Sequence, residues 1–394
     1  MRALWLADHL LVTKRGHHVS YNGFIADSAR RAGLEARILC ARECEAQVAG
    51  GFATRGIFRR DLRNTPSPLL SRSRLALDVL ETVARRRFEA DLRRGITPGE
   101  IKPEDIIFAE MLAPRNLAGW LRWFEAFPKG LEPTIVLHLG YASERFGADQ
   151  RIPSLLKSLE RSGKLFRAHF ATDSDILQEK YQAIFRRPVR RLPLVISRRA
   201  SECYRPPQKP FHFVGLGNAR KEKGFAEILA AIDLLHANGG LPDARFTLQS
   251  SDPDVHSAAA LARFRSARVP RVLLIDRALD DDGYYRLLRD ADVLLLPYHV
   301  ESYRDRTSGV FCEAMTSGKP SIVSDGSFLG LEVHKKGIGW LARDQDPVSL
   351  AETIKRAVRD LDAVTPRCVE LMPHYKPMFH PDTFISEIMA LVDE

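Results

Sequence analysis

Asp292–Pro320, DVLLLPYHVESYRDRTSGVFCEAMTSGKP, is the stretch whose reading decides the fold. The apolar run Val293–Leu296 is too short for a helix and is closed by Pro297, so it predicts a buried parallel strand. After a polar, charged loop, Thr307-Ser308-Gly309 opens a run with helical spacing through Val310, Phe311, Ala314 and Met315. Gly318 and Pro320 stop that helix. A strand, a polar loop and a helix start together present free N–H groups and a positive dipole end, which suits a phosphate. Glu313 sits one turn inside the helix, within reach of a group bound near its start. A diphosphate carrying a hydroxylated ring would use both features. An ordinary strand-loop-helix unit of a parallel sheet is the plainer reading.

The chain has 394 residues, 45% hydrophobic and 28% charged, which suits a globular enzyme of two domains better than one core or a disordered tail. Its apolar runs are too short to span a bilayer. Asp8 and His9 interrupt the apolar N-terminus, which argues against a secretory leader. Five scattered cysteines (Cys40, Cys44, Cys203, Cys312, Cys368) fit neither a disulfide framework nor a structural zinc, so a reducing cytoplasm is expected. Residues 1–200 hold 35 Lys+Arg against 22 Asp+Glu, the remainder 24 against 28. Neither finger spacing nor an aromatic-rich basic motif supports nucleic acid as the partner of the basic half. An anionic substrate, or peripheral contact with the anionic inner face of a membrane, explains it equally well.

Outward from the opening stretch, strands and helices alternate in both directions. Met1–Ala7 reads as a first strand, followed by a loop holding Lys14, Arg15, Gly16, His17 and His18, a helix over Tyr21–Ala32 and a second strand at Ala36–Cys40. Arg-rich residues 51–94 carry a stripe of Leu77, Leu80, Ala84 and Phe88, which reads as a core-facing helix with a solvated basic face, or as a helix resting on anionic headgroups. Strands follow at Asp105–Ala109, at Thr134–Gly140, which holds His138, and at Phe166–Ala171. Helices are expected over Asn116–Phe127, Ser154–Ser162 and Ile176–Phe185. The aperiodic, Arg- and Pro-rich segment 198–210 reads as a linker. A second α/β run starts at Phe211, with strands at Arg245–Gln249, Val272–Ile275 and Ser321–Ser324. Its helices are expected over Gly224–Asn238, Tyr284–Asp290 and Val348–Leu361, and a tail helix over Pro381–Val392. The expected fold class is α/β, two doubly wound Rossmann-like domains facing across a cleft. The boundaries are 1–197, a linker at 198–210, 211–376, and a C-terminal helix, 377–394, crossing back to the first domain.

Gly215–Phe225, GLGNARKEKGF, lies between a strand and a helix. Gly215 and Gly217 allow close backbone approach, and Arg220, Lys221 and Lys223 add positive charge where a helix start already favours an anion. The dinucleotide fingerprint fails, because the third glycine is absent. Taken with the opening stretch, this loop resembles the retaining nucleotide-sugar glycosyltransferases of the GT-B fold, family four. Their Gly-Arg-Leu-x-x-x-Lys-Gly loop is matched by Gly217–Gly224 in glycine, lysine and spacing, with Asn218 where the family has arginine. Their pair of glutamates eight positions apart falls on Asp305 and Glu313, and DADVLLLPY, Asp290–Tyr298, is similar to their strand, with Tyr298 in place of serine. The resemblance covers most of residues 211–360 and is weak in the first half.

The resemblance implies a glycosyltransferase of polysaccharide biosynthesis type that moves a sugar, with retention, from a nucleotide-sugar to a hydroxyl of a glycan or lipid-linked acceptor. Gly217, Asn218, Arg220 and Lys223 would hold the donor diphosphate, Lys223 with Arg220 or Lys221 as the second cation. Thr307, Ser308 and Gly309 would face its distal phosphate, Glu313 the ribose and Asp305 the donor sugar. His138 would face the donor sugar from the acceptor domain, and His17 and His18 would lie on its acceptor-side loop. In the loops that end strands no Asp-x-Asp metal pair stands out, and Asp280-Asp281-Asp282 reads as the cap of the Tyr284 helix, so neither metal nor cofactor is expected. A nucleotide-sugar epimerase of the same fold and a non-catalytic sugar-nucleotide-binding protein are the alternatives.

Overall fold

The computed structural model describes residues 1–12, 17–44, 52–59, 74–141, 143–144, 149, 151–267 and 269–393, with His17 and residues 74–78 described by backbone alone. The chain forms two compact units, Met1–Val195 with Pro381–Glu394, and Ile196–His380. The segment 198–210, expected as a linker, is part of the second unit. It begins with a one-turn 3-10 helix, Arg198–Glu202, buries Ala200 and Cys203, and is held by its arginines. The Arg205 guanidinium donates to the carbonyls of Arg289 and Asp290, and Arg199 pairs with Asp282 at 2.7 Å.

In the first unit, β1 (Ala3–Ala7), β2 (Glu35–Ala41), β3 (Ala53–Phe58), β4 (Ile106–Ala109), β5 (Thr134–His138), β6 (Ala168–Thr172) and β7 (Arg190–Arg191) form one parallel sheet in the order β3-β2-β1-β4-β5-β6-β7. The strands β1, β4 and β5 are buried along their whole length, as expected where helices cover both faces. The helices are α1 (His17–Arg31), α2 (Arg74–Gly95), α3 (Pro114–Glu125), α4 (Arg151–Arg161) and α5 (Asp175–Phe185), whose Ser174 cap accepts from the Leu177 N–H. In α2, Phe88 and Leu92 are buried while Arg86, Arg93 and Arg94 are exposed, so it faces the core with a solvated basic side. Leu77, part of the expected stripe, has its side chain outside the described residues, as do Lys14, Arg15 and Gly16 altogether.

The second unit repeats the topology. Strands β8 (Phe211–Gly215), β9 (Ala244–Gln249), β10 (Val272–Ile275), β11 (Val293–Leu296), β12 (Ser321–Ser324) and β13 (Gly339–Ala342) run parallel in the order β10-β9-β8-β11-β12-β13. The helices are α6 (Phe225–Ala237), α7 (Val255–Ala267), α8 (Asp281–Asp290), α9 (Val300–Tyr303), α10 (Gly309–Thr316), α11 (Phe328–Lys336) and α12 (Pro347–Met378). Helix α12 runs past the expected end at Leu361 and through Pro366, Pro373 and Pro377. Its buried residues Leu361, Thr365, Cys368, Met372 and Tyr375 keep a three-four spacing, so packing of one face outweighs the lost N–H donors. A final helix, α13 (Pro381–Asp393), packs on α1 in the first unit, burying Phe384, Ile385 and Ile388. Asp382 accepts there from Ser28 and Arg31. In both sheets the strand order reverses beside the first strand, between β1 and β4 and between β8 and β11. Ligands of open α/β sheets bind at the carboxyl ends of the strands at such a point.

Candidate active site

In the second unit the chain leaves β8 through two glycines whose backbone decides where a cation goes. Gly217 has φ +96° and donates its N–H to Gln249 Oε1 at 2.9 Å, at the end of β9. After a one-turn 3-10 helix, Lys221–Lys223, the chain reverses at Gly224, φ +67°, whose Cα packs so close to the Pro297 carbonyl oxygen that a side chain has no room. The Lys223 ammonium is thereby set beside Gly217, where a Cβ would stand 2.5 Å from Nζ, and 5.9 Å from the centre of the Tyr298 ring. Burial, then the nearby Arg220 and Arg306 charges, lower its pKa to about 8 against the opposing pull of Glu222 and Glu313.

The second side of the site is the start of α10. Ser308 is extended and leaves the first turn without a side-chain cap, and the space over Gly309 is open. Thr307 and Ser308 are buried, with Thr307 Oγ1 3.6 Å from Cys312 Sγ. One turn on, buried Glu313 accepts a hydrogen bond from the Tyr284 hydroxyl of α8. Burial raises its pKa to about 7, hydrogen bonds from Tyr284 and Tyr285 restraining the rise. Asp305 is buried in the segment between α9 and α10. Asn218 is half-buried, and its carbonyl accepts from the Arg220 N–H. Arg220 itself is exposed and 3.7 Å from Glu222. Asp280 caps α8, its Oδ1 accepting the Gly283 N–H at 2.8 Å.

Sequence reasoning overlooked Arg306. Its guanidinium lies 4.4 Å over the Tyr303 ring, which packs 4.6 Å from Tyr298, so one aromatic pair carries Arg306 on one ring and Lys223 on the other. Its Nε is buried without an acceptor. The signal was available, since Arg306 immediately precedes Thr307-Ser308-Gly309. Tyr284, the donor to Glu313, could not have been found this way, because it comes from a distant helix.

In the first unit, His17 and His18 do not lie on a loop. They form the first turn of α1, held there because Asp8, just past β1, accepts from both His18 Nδ1 and Asn22 Nδ2 at 2.8 Å, one helical turn apart. The His17 side chain lies outside the described residues. Asp8 is fully buried, which raises its pKa, but the His18 and His9 charges and the Leu10 N–H outweigh this and hold it below the usual carboxylate range. Glu110, just past β4, is pushed far above that range by burial and the Asp8 charge, and its Oε2 has no partner. Asp8, His18 and Glu110 each place an atom within 4.8 Å of the others, the group among the described residues able to hold a metal ion. Asp8 already accepts from His18, Asn22 and the Leu10 N–H, so an ion would have to displace these bonds. His138 ends β5, fully buried, with its pKa lowered to about 4 by burial and its Nδ1 unpartnered. It is neutral near pH 7.

Both the fold and the second unit find relatives. Residues 209–360 match the family described as "Glycosyl transferases group 1". Whole-chain likeness is to GT-B structures. One is a sucrose-phosphate synthase from Thermosynechococcus elongatus, at 15% identity and TM-score 0.65, covering 100% of this chain and 98% of that one. Another is a UDP-forming trehalose-phosphate synthase from Burkholderia xenovorans, at 14% and 0.67, covering 100% and 99%. A third is HepE from Anabaena in complex with UDP and glucose, at 14% and 0.62, covering all of both chains. Among curated proteins no sequence matches. The chain has the GT-B fold, and the resemblance read from its motifs stands.

Proposed function

We propose that the protein is a glycosyltransferase that moves a sugar, with retention and without a metal ion, from a nucleotide-sugar to a hydroxyl of a glycan or lipid-linked acceptor. The observation that carries this reading is the meeting of Lys223, Arg306 and the uncapped start of α10, with Glu313 one turn further in. Cations and N–H dipoles fixed where a diphosphate departs stabilise the charge that develops there. HepE, structurally similar, was crystallised in complex with UDP and glucose. In this reading Lys223 and Arg306 hold the diphosphate, Gly309 lets it approach the helix start, Glu313 accepts from the ribose and Asp305 from the donor sugar. As the bond from the anomeric carbon to the phosphate oxygen breaks, the acceptor oxygen bonds to that carbon from the same face. The departing phosphate takes the hydroxyl proton, so no side chain need act as base.

The test is incubation with radiolabelled UDP-, GDP- and ADP-sugars and a membrane extract as acceptor source, with and without EDTA. Labelled glycan or glycolipid, released nucleoside diphosphate, a retained anomeric configuration by NMR and indifference to EDTA are expected. Isomerised sugar-nucleotide would make the protein an epimerase, and binding without turnover a non-catalytic binder. Inverted product or loss of activity in EDTA would overturn the retaining or the metal-free part.

A further inference from the structure

We propose that Arg85 is the floor of a second anion site, in the first unit, that takes a phosphate group. The helices α2, α3 and α4 pack side by side, Arg115 lying 3.8 Å from Glu81 and Arg122 3.7 Å from Glu89, while the Ser158 hydroxyl donates to Glu125. Arg85, on α2 between Glu81 and Glu89, is only 8% exposed, and its Nε and Nη1 are buried without an acceptor. A guanidinium cannot shed its proton to escape this situation, and a buried charge without a partner is strongly unfavourable.

The neighbouring acids relieve it only in part. Asp149 is taken by Arg151, through Nε at 2.7 Å, Nη2 at 2.5 Å and the backbone N–H at 3.1 Å. Glu89 is shared between Arg93 at 3.1 Å and Arg122. Burial, the larger effect, and the like charges of Arg151, Arg122 and Arg86 lower the Arg85 pKa, with the Glu89 charge opposing them. Arg85 is covered, Arg122 and Arg151 are half-buried and Arg86 is exposed, a graded series of cations leading from solvent to the Arg85 guanidinium. Nε and Nη1 each leave an N–H without an acceptor, and the surplus positive charge around them favours a phosphate over a neutral hydroxylated group. The phosphate has two sources, a soluble phosphate monoester or the headgroup of an anionic lipid. The site shares no residue with the donor site and stands whether or not the transferase reading holds.

The test uses the full-length chain in a Lys223→Met background, so that the donor side does not respond. Thermal unfolding is followed in inorganic phosphate and in chloride at matched ionic strength. Phosphate is expected to raise Tm in this parent and to leave Arg85→Met unmoved. In chloride Arg85→Met is expected to melt at or above the parent temperature, since it removes an unpaired buried charge, whereas an arginine with a purely structural role would lower it. Arg85→Lys, which keeps the charge but loses the separate Nε and Nη1 donors, is expected to show a reduced phosphate shift and serves if the methionine variant fails to fold. Calorimetry with glycerol phosphate, and co-sedimentation with phosphatidylglycerol vesicles against phosphatidylcholine vesicles, separate the two sources, each signal being lost on Arg85→Met. A phosphate shift that persists in Arg85→Met, or its absence in the parent, overturns the proposal.

Discussion

Lys223 gives the proposed donor site a pH signature that can be worked out in advance. Its pKa lies near 8 in the free protein, against an ordinary 10.5, because burial and two neighbouring guanidinium groups disfavour the ammonium. A diphosphate beside Nζ reverses both effects and returns the pKa to 10.5 or above. Between about pH 8 and 10.5 the free protein must therefore take up a proton to bind, and affinity for a nucleoside diphosphate falls about tenfold per pH unit. The difference between the two pKa values sets the full loss at about 300-fold, with a plateau below pH 7.5. At pH 9 binding consumes about 0.9 proton, which calorimetry in buffers of different ionisation enthalpy measures directly. Lys223→Met is expected to bind weakly, without pH slope or proton uptake. An affinity that stays flat from pH 8 to 10 in the unsubstituted protein, with no proton uptake, refutes the placement of the diphosphate on Lys223.

Three further outcomes follow from the same geometry. Arg306→Gln is expected to weaken nucleoside diphosphate binding by about tenfold or more, the loss of one charge-assisted bond, and Asn218→Arg in that background to restore part of it; unchanged binding in Arg306→Gln would remove this residue from the site. Gly224→Ala drives a Cβ into the Pro297 carbonyl at positive φ and should cost at least about 2 kcal/mol in denaturant unfolding, whereas Gly217→Ala meets only the movable end of Lys223 and should lose more affinity than stability. Tyr284→Phe strips Glu313 of a donor. Since Glu313 has a raised folded pKa, the stability it contributes is present below about pH 4.5 and falls as pH rises to about 7; the variant's deficit against wild type should grow from pH 6 to 8, and a pH-independent deficit would contradict this.

The alternation of strands and helices was legible because Leu294 and Leu295, like Ile106 and Ile107, sit in short fully apolar runs that a covered parallel sheet requires. Strand β3 was missed because ATRGIF is an edge strand with half its residues exposed, and its arginine reads as part of the basic helix that follows. Helix α7 was missed because VHSAAALARFRSA separates its faces poorly, although Asp254 marks the start by accepting the Ser257 N–H. Helix α11 and strand β13 were passed over too, with Ser327 in the sequence as the cap of α11. In the candidate site, the residues the sequence placed together are near in the chain, Gly217 with Lys223 on one loop and Ser308 with Glu313 on one helix. Those that meet only through the fold were not: Tyr284 with Glu313, Asp8 with Glu110, Arg306 with Lys223 across two rings.

Net charge by halves pointed away from the local fields. The half with the excess of Lys and Arg carries Asp8 and Glu110 at its switch point, and the half with the slight acid excess carries Lys223, Arg220 and Arg306 at its own. Two ranges of interaction are involved. Charges spread over a surface are screened within about 8–10 Å at ordinary salt, so their sum governs approach and solubility and says little about a buried edge. At the strand ends a single side chain set by a glycine, as Lys223 is by Gly217, decides the local sign. The same reasoning separates the two anion sites by salt. The buried guanidinium of Arg85 should hold phosphate with little dependence on ionic strength, while any contribution from exposed Arg86, Arg93 and Arg94 to a membrane surface should be lost as salt is raised.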